Sequence, residues 1–204
     1  MKLYVDSRFL SPYAMSVFVA LREKRLAYEL ETVDLEAGAN HAGGFARESL
    51  THRVPMLVDG AFALSESSAI GEYLEESCPQ VPIYPRGLAQ RARARQVQAW
   101  LRSDLLPLRA ERPTEVIFCA RRCPPLSLAA RGATQLLIEV AGELLRGGGE
   151  HLCGDWCIAD VDLALMLQRL IVHGDEVPAP LVRYAHRQWQ RASVQAWVAL
   201  PRSA

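Results

Sequence analysis

Apolar and polar positions change their period once along this chain. Up to residue 78, short stretches alternating at period two are interleaved with longer stretches of roughly helical period. Beyond residue 87 only the helical period recurs. "KLYV" (Lys2 to Val5) reads as a short strand. "SPYAMSVFVALREK" (Ser11 to Lys24) reads as a helix, with Ser11 as N-cap and Pro12 at the first helical position, where an N–H is not needed. Met15, Val17, Phe18, Val19 and Leu21 leave most of that helix buried. "YELETV" (Tyr28 to Val33) alternates as a strand, and a polar, glycine-containing stretch with room for a short helix runs from Asp34 to Ser49. "PMLV", the turn "DG" and "AFAL" make a hairpin over Pro55 to Leu64. "SESSAIGEYLEESC" (Ser65 to Cys78) is an amphipathic helix with Ile70, Tyr73 and Leu74 inward.

The order β-α-β-(short α)-β-β-α points to one mixed sheet with helices packed on it. "PQVPIYPRG" (Pro79 to Gly87) carries three prolines and a glycine and reads as a linker. Helices are expected at about 88–110, 126–146, 158–173, 179–192 and 193–199, with a kink or early end near Pro107. The expected architecture is therefore a small α/β domain, residues 1–80, followed by an all-α domain, residues 88–204.

Composition narrows the class. Of 204 residues, half are apolar and 23% charged, which describes a globular chain with a real core. No apolar run approaches the roughly 20 residues that span a bilayer, and "MKLYVDSRFL" lacks the apolar core of a signal peptide, so a cytoplasmic location without membrane contact is expected. The 5 cysteines are then free thiols rather than a disulfide framework. Net charge is zero, but residues 1–80 carry 7 basic against 12 acidic side chains and residues 81–204 carry 16 against 11. The second part thus attracts small anions without marking a polyanionic partner.

Two positions do not suit ordinary secondary structure. Pro55 opens a strand, where backbone donors are needed, and Glu66 and Ser67 stand at a helix start. A cis bond before Pro55 turns the N–H and C=O of Val54 outward, where an extended peptide-like ligand pairs with them. An ordinary edge-strand proline is the alternative. The free N–H groups at the start of the next helix take a carboxylate. Glu66 beside them suits an ammonium. Carboxylate and ammonium together describe the α-amino acid end of a small peptide.

"RVPML" followed by "LSESSAI" resembles the glutathione-binding half of cytosolic glutathione transferases. "SPYAMSVFVALREK" resembles their serine-type segment, with Tyr13 where phenylalanine is usual. "WCIADVDLALM" (Trp156 to Met166) resembles the helix start written S/T-x-A-D, with Cys157 replacing the capping hydroxyl and Asp160 kept. The three motifs stand in the family's order and the resemblance spans about residues 2–200. "WLRSDLLPLR" and "HGDEVP" are similar to phrases in bacterial members. The resemblance implies the glutathione transferase fold, an α/β thioredoxin-like N-terminal domain plus an all-α C-terminal domain holding the electrophile site. It implies that Val54 holds the cysteinyl backbone of glutathione through main-chain bonds. Glu66 and Ser67 would hold the γ-glutamyl amine and carboxylate, and Arg53 would meet the glycine carboxylate.

Glutathione is then a co-substrate, with a small electrophile or hydroperoxide as second partner, no metal, and a homodimer expected from resemblance alone. A thiol at the start of the Ser11 helix feels the positive end of the dipole, and the Ser11 hydroxyl donates to the sulfur. Tyr4, Ser7 and Tyr13 compete for that role, and Ser11 by pattern alone is also a plain N-cap. Trp100, Leu101 and Leu105 are candidates for the electrophile pocket and equally for core.

Cys119/Cys123 and Cys153/Cys157 fall within zinc-ligand spacing, but buried free thiols explain them better, and Cys78 reads as a helix-end core residue. The "RARAR" run (Arg91 to Arg95) lacks aromatic interleaving, so a nucleic-acid role is set aside in favour of a solvated face or an anionic cleft wall. Thiol–disulfide exchange is excluded because no cysteine precedes residue 78. A non-catalytic binding or scaffold protein on the same fold is the remaining alternative.

Overall fold

The computed structural model describes residues 1–202. It divides into two compact units, Met1–Ile83 joined by the segment from Ala192 onward, and Tyr84–Arg191. In the first, β1 (Lys2–Asp6), α1 (Pro12–Glu23), β2 (Glu29–Val33), a short 3-10 turn (Ala39–His41), α2 (Gly43–Glu48), β3 (Met56–Asp59), β4 (Phe62–Ser65) and α3 (Ser67–Ser77) follow in order. The strands lie as β2-β1-β3-β4, with β1 and β2 parallel and the β1–β3 and β3–β4 pairs antiparallel. This is the mixed sheet expected from the alternation of periods, in the thioredoxin-like arrangement that the resemblance implied.

Two local expectations shift. The hairpin turn is Gly60–Ala61 rather than Asp59–Gly60, because Asp59 still pairs with Phe62 and Gly60 takes the positive φ of 59°. The helix after the hairpin starts at Ser67, since Ser65 is still paired with Met56. Lys24, the C-cap of α1, is buried. It bonds Glu75 at 2.9 Å and the carbonyls of Cys78 and Val81, tying α1 to α3 and to the chain that leaves it.

The second unit is helical throughout: α4 (Leu88–Ser103), α5 (Leu106–Glu111), α6 (Thr114–Phe118), α7 (Leu128–Leu144), α8 (Ile158–Ile171) and α9 (Ala179–Trp189). The helix expected over 88–110 ends at Ser103. Pro107 lacks an N–H and its ring would clash with the carbonyl four residues back, so the chain breaks and restarts as α5. α6 was not expected, because the flanking prolines read only as breakers. α8 is buried on nearly every side and forms the axis of the unit, packed by Leu101, Leu105, Leu108, Leu181 and Tyr184.

Two buried polar clusters fasten this unit. At the start of α8, Asp160 is fully buried and its carboxylate accepts from the N–H groups of Leu152 (2.8 Å) and Cys157 (2.9 Å) and from the Tyr184 hydroxyl (2.8 Å). Cysteine is a poorer N-cap than serine or threonine, and this carboxylate half of the capping box offsets that weakness. At the far end, Arg112 grips Asp175 with two bonds of 2.6 and 2.9 Å and donates to the carbonyls of Glu111 and Pro124. His173 Nδ1 lies 3.1 Å from the same Asp175 carboxylate, and its Nε2 accepts from the N–H of Cys123 at 3.2 Å.

The last helix, α10 (Ala192–Val198), belongs to the first unit. Its Trp197 is fully buried against Phe9 and Phe18, with ring centroids 5.8 and 5.2 Å apart in edge-on geometry. Its apolar positions show that it packs, but not on which partner. Among the described residues no helix is long and apolar enough to cross a membrane.

Candidate functional site

The sheet register gathers the candidate residues at one end of the first unit. Tyr4 near the end of β1 faces Met56 at the start of β3, and Met56 faces Ser65 at the end of β4. The chain leaving β1 towards Ser11, the chain entering β3 through Arg53 and Val54, and the chain leaving β4 into Glu66 and Ser67 therefore meet at the same edge.

Ser11 caps α1, and its hydroxyl oxygen accepts from the N–H of Ala14 at 3.2 Å. That bond uses a lone pair of the oxygen and leaves the hydroxyl proton available as a donor. Asp6, 7% exposed, fixes the approach by accepting from the N–H groups of Leu10 (2.7 Å) and Ser11 (2.9 Å). The competing hydroxyls differ in setting. Tyr4 packs edge-on against Phe45 at 5.5 Å, Ser7 sits in the turn with its N–H on the Val33 carbonyl, and Tyr13 follows at the second position of α1.

The Val54–Pro55 bond is cis. Val54 precedes β3 and stands in the register of neither neighbouring ladder, so the sheet makes no claim on its backbone groups. Arg53 is exposed. Glu66 is the N-cap of α3 with φ 71° and ψ 112°, a left-handed conformation for a side chain that is exposed. A non-glycine residue held there costs about 1–3 kcal/mol and is kept where the surroundings require it. Ser67, buried at 7% exposure, opens the helix at its first turn, where backbone N–H groups have no partner within the helix.

The tertiary structure adds three residues that the sequence did not single out. His52 has φ 53°, its carbonyl accepts from the Asn40 side chain at 2.9 Å, and its ring lies 5.4 Å from that of His41. The 3-10 turn is thereby fastened beside Arg53. No local spacing announces this, because residues 40 and 52 are joined only through the fold.

In the second unit, α4 and α7 border a groove of about 200 Å³ lined by Arg93, Gln96, Val97, Trp100, Val140 and Leu144. Trp100 lines it, whereas Leu101 and Leu105, at 3% and 0% exposure, are core.

Residues 10–77 match the family model described as "Glutathione S-transferase, N-terminal domain", and residues 87–203 match "Glutathione S-transferase, C-terminal domain". The chain belongs to the glutathione S-transferase family. It is similar to the crystal structure of a glutathione transferase homologue from Burkholderia with bound glutathione. The two are 44% identical, the match covers 97% of this chain and 95% of that one, and the TM-score is 0.81. A maleylacetoacetate isomerase from Methylobacterium extorquens, solved with bound malonate and glutathione, is 27% identical over 98% of both chains with a TM-score of 0.77. Mouse glutathione S-transferase theta-1 is 32% identical over 136 residues, 64% of this chain but only 55% of that enzyme's length.

Proposed function

We propose that this family member is a glutathione-dependent enzyme that activates the glutathione thiol at Ser11 and adds it to a small electrophile. The observation that carries this reading is the convergence of Ser11, Val54, Glu66 and Ser67 at one sheet edge, in a family whose Burkholderia relative was crystallised with glutathione. The tripeptide lies extended along the chain entering β3, with its cysteinyl backbone on the N–H and C=O of Val54. Its γ-glutamyl carboxylate rests on Ser67 and the N-terminal N–H groups of α3, its ammonium on Glu66, and its glycine carboxylate on Arg53. The thiol then stands at the N-terminus of α1, where the helix dipole and the Ser11 hydroxyl stabilise the thiolate. The thiolate carries out conjugation when it attacks carbon and reduces a hydroperoxide when it attacks oxygen.

A second activity is supported by the similarity to the Methylobacterium isomerase. The same thiolate adds to a carbonyl-activated cis double bond, the resulting single bond rotates, and elimination returns the trans isomer with glutathione regenerated. A homodimer is part of this proposal, on family membership.

The purified protein is expected to turn over glutathione with an aryl halide, with cumene hydroperoxide, or with a maleyl-type cis acid. Calorimetry is expected to find one glutathione site per chain. Absence of binding at millimolar glutathione would leave the scaffold reading in its place. Glu66→Gln removes the charge opposite the ammonium. It is expected to raise the glutathione KM about tenfold with kcat nearly unchanged; an unchanged KM would place the ammonium elsewhere.

A further inference from the structure

One buried carboxylate behind the candidate site has no part in the chemistry above. Asp6 ends β1, where it pairs with Val33 of β2, and it is 7% exposed. Its backbone and side chain together take three successive N–H groups of the chain leading to Ser11. The Asp6 carbonyl accepts from Phe9 at 3.0 Å, and its two carboxylate oxygens accept from Leu10 at 2.7 Å and from Ser11 at 2.9 Å. Pro12, next in line, has no N–H. Residues 9 to 12 therefore keep no backbone donor for a thiol, and the Ser11 hydroxyl is the donor that this stretch retains. The far side of the same turn is anchored as well. Phe9 stands at φ 52°, its ring lies edge-on against Trp197 with centroids 5.8 Å apart, and its carbonyl accepts from Arg202 Nη2 at 3.3 Å. The turn thus hangs between the sheet and the C-terminal segment, and Asp6 is the member that reaches Ser11 itself.

We infer that Asp6 is a positioning residue for thiol activation. It carries the rigidity of β1 into the backbone of Ser11 and occupies the competing amide donors, so that the hydroxyl, rather than an amide of this turn, meets the sulfur. The inference rests on the function proposed for Ser11. Position matters on this scale, because a displacement of about 1 Å costs a catalytic group about 10²-fold in rate. Asp6→Asn keeps one acceptor and turns an NH2 group towards the second N–H, so one of the two bonds is lost and the turn shifts. The expected result is a kcat lowered about tenfold, a glutathione KM within about twofold of wild type, and an alkaline rise of kcat moved to higher pH. The sign separates two roles. By charge alone a carboxylate on this turn disfavours a thiolate, so neutralising it would move the rise to lower pH. Asp6→Glu keeps the charge but adds a methylene, and it too is expected to lower kcat.

The test is a double-mutant cycle on the whole protein, with kcat, glutathione KM, the pH profile of kcat and Tm read for each variant. A residue that acts through the Ser11 hydroxyl has little left to act on once that hydroxyl is gone. Asp6→Asn is therefore expected to change kcat by less than about twofold in the Ser11→Ala background. Asp6→Glu takes its place in the cycle if Asp6→Asn fails to fold. A rise moved to lower pH, a lowered Tm with kcat and the profile unchanged, or a tenfold loss repeated in full in the Ser11→Ala background would overturn the inference and leave the role of Ser11 standing. Wild-type kcat in Ser11→Ala would overturn the function proposed for Ser11, and this inference with it.

Discussion

Ser11→Ala is expected to lower kcat by about 10²-fold while glutathione still binds. The hydroxyl oxygen is held by the bond from Ala14 and Asp6 holds the backbone on which it sits, so under the proposed function the unused proton has a fixed position from which to donate to the thiol. Removing one preorganised donor to developing negative charge costs about 10²–10³ in rate. The same substitution removes an N-cap, worth about 1 kcal/mol of stability. The two effects separate in the pH profile. Loss of the donor shifts the alkaline rise of kcat, and the thiolate absorbance of bound glutathione, to higher pH. Loss of the cap alone lowers Tm and leaves the profile in place. An unshifted profile with wild-type kcat would move the role to Tyr13, Ser7 or a backbone N–H.

Arg112→Ala is expected to destabilise the protein by about 3–5 kcal/mol, read from chemical denaturation. Arg112 is 1% exposed and holds both oxygens of Asp175 together with two carbonyls, so truncation leaves a half-buried carboxylate facing His173 alone and two acceptors unpaired. The pH dependence has a definite sign. Burial works to raise the Asp175 carboxyl and the Arg112 hydrogen bond and charge work to lower it; the lowering prevails. A carboxyl depressed in the fold stabilises it above the ordinary carboxylate pKa of about 4, and that contribution is lost as pH falls through the depressed value. The gap between wild type and Arg112→Ala should be full at pH 7 and shrink below about pH 4. A gap that stays constant down to pH 2 would mean that packing of the arginine, not its charge, supplies the effect. Arg112→Lys, which keeps the charge without the two-pronged geometry, should fall between the two.

Most elements could be read from period and punctuation alone. β1, α1, β2, the hairpin and α3 follow from alternation and caps, as do α7 to α9 in the second unit. The misses have local causes. Pro107 acts four residues upstream through its clash with a carbonyl, so the break falls at Ser103 rather than at the proline. α6 is only five residues long, too short to show a period.

The site divides in the same way. The candidates Ser11, Glu66 and Ser67 are legible because helix starts have a local chemistry of caps and N–H groups without intrahelical partners, and Val54 because it precedes a proline at the entry to a strand. Asn40, His41 and His52 carry no such mark, since their association spans a loop and a helix.

By itself the sequence determined the change from mixed α/β to all-helical structure, the helix-start residues of the candidate site, and the lack of any cysteine in residues 1–77. Only the tertiary structure decided that three chain segments meet at one sheet edge, that α10 returns to the first unit, and that Arg112, Asp175 and His173 form one cluster. The physical reason is range. Caps, turns and periodicity act over a few residues and leave a local signature, whereas strand register and the burial of Trp197 or Arg112 satisfy groups far apart in the chain, for which many partners look equivalent until the backbone has folded.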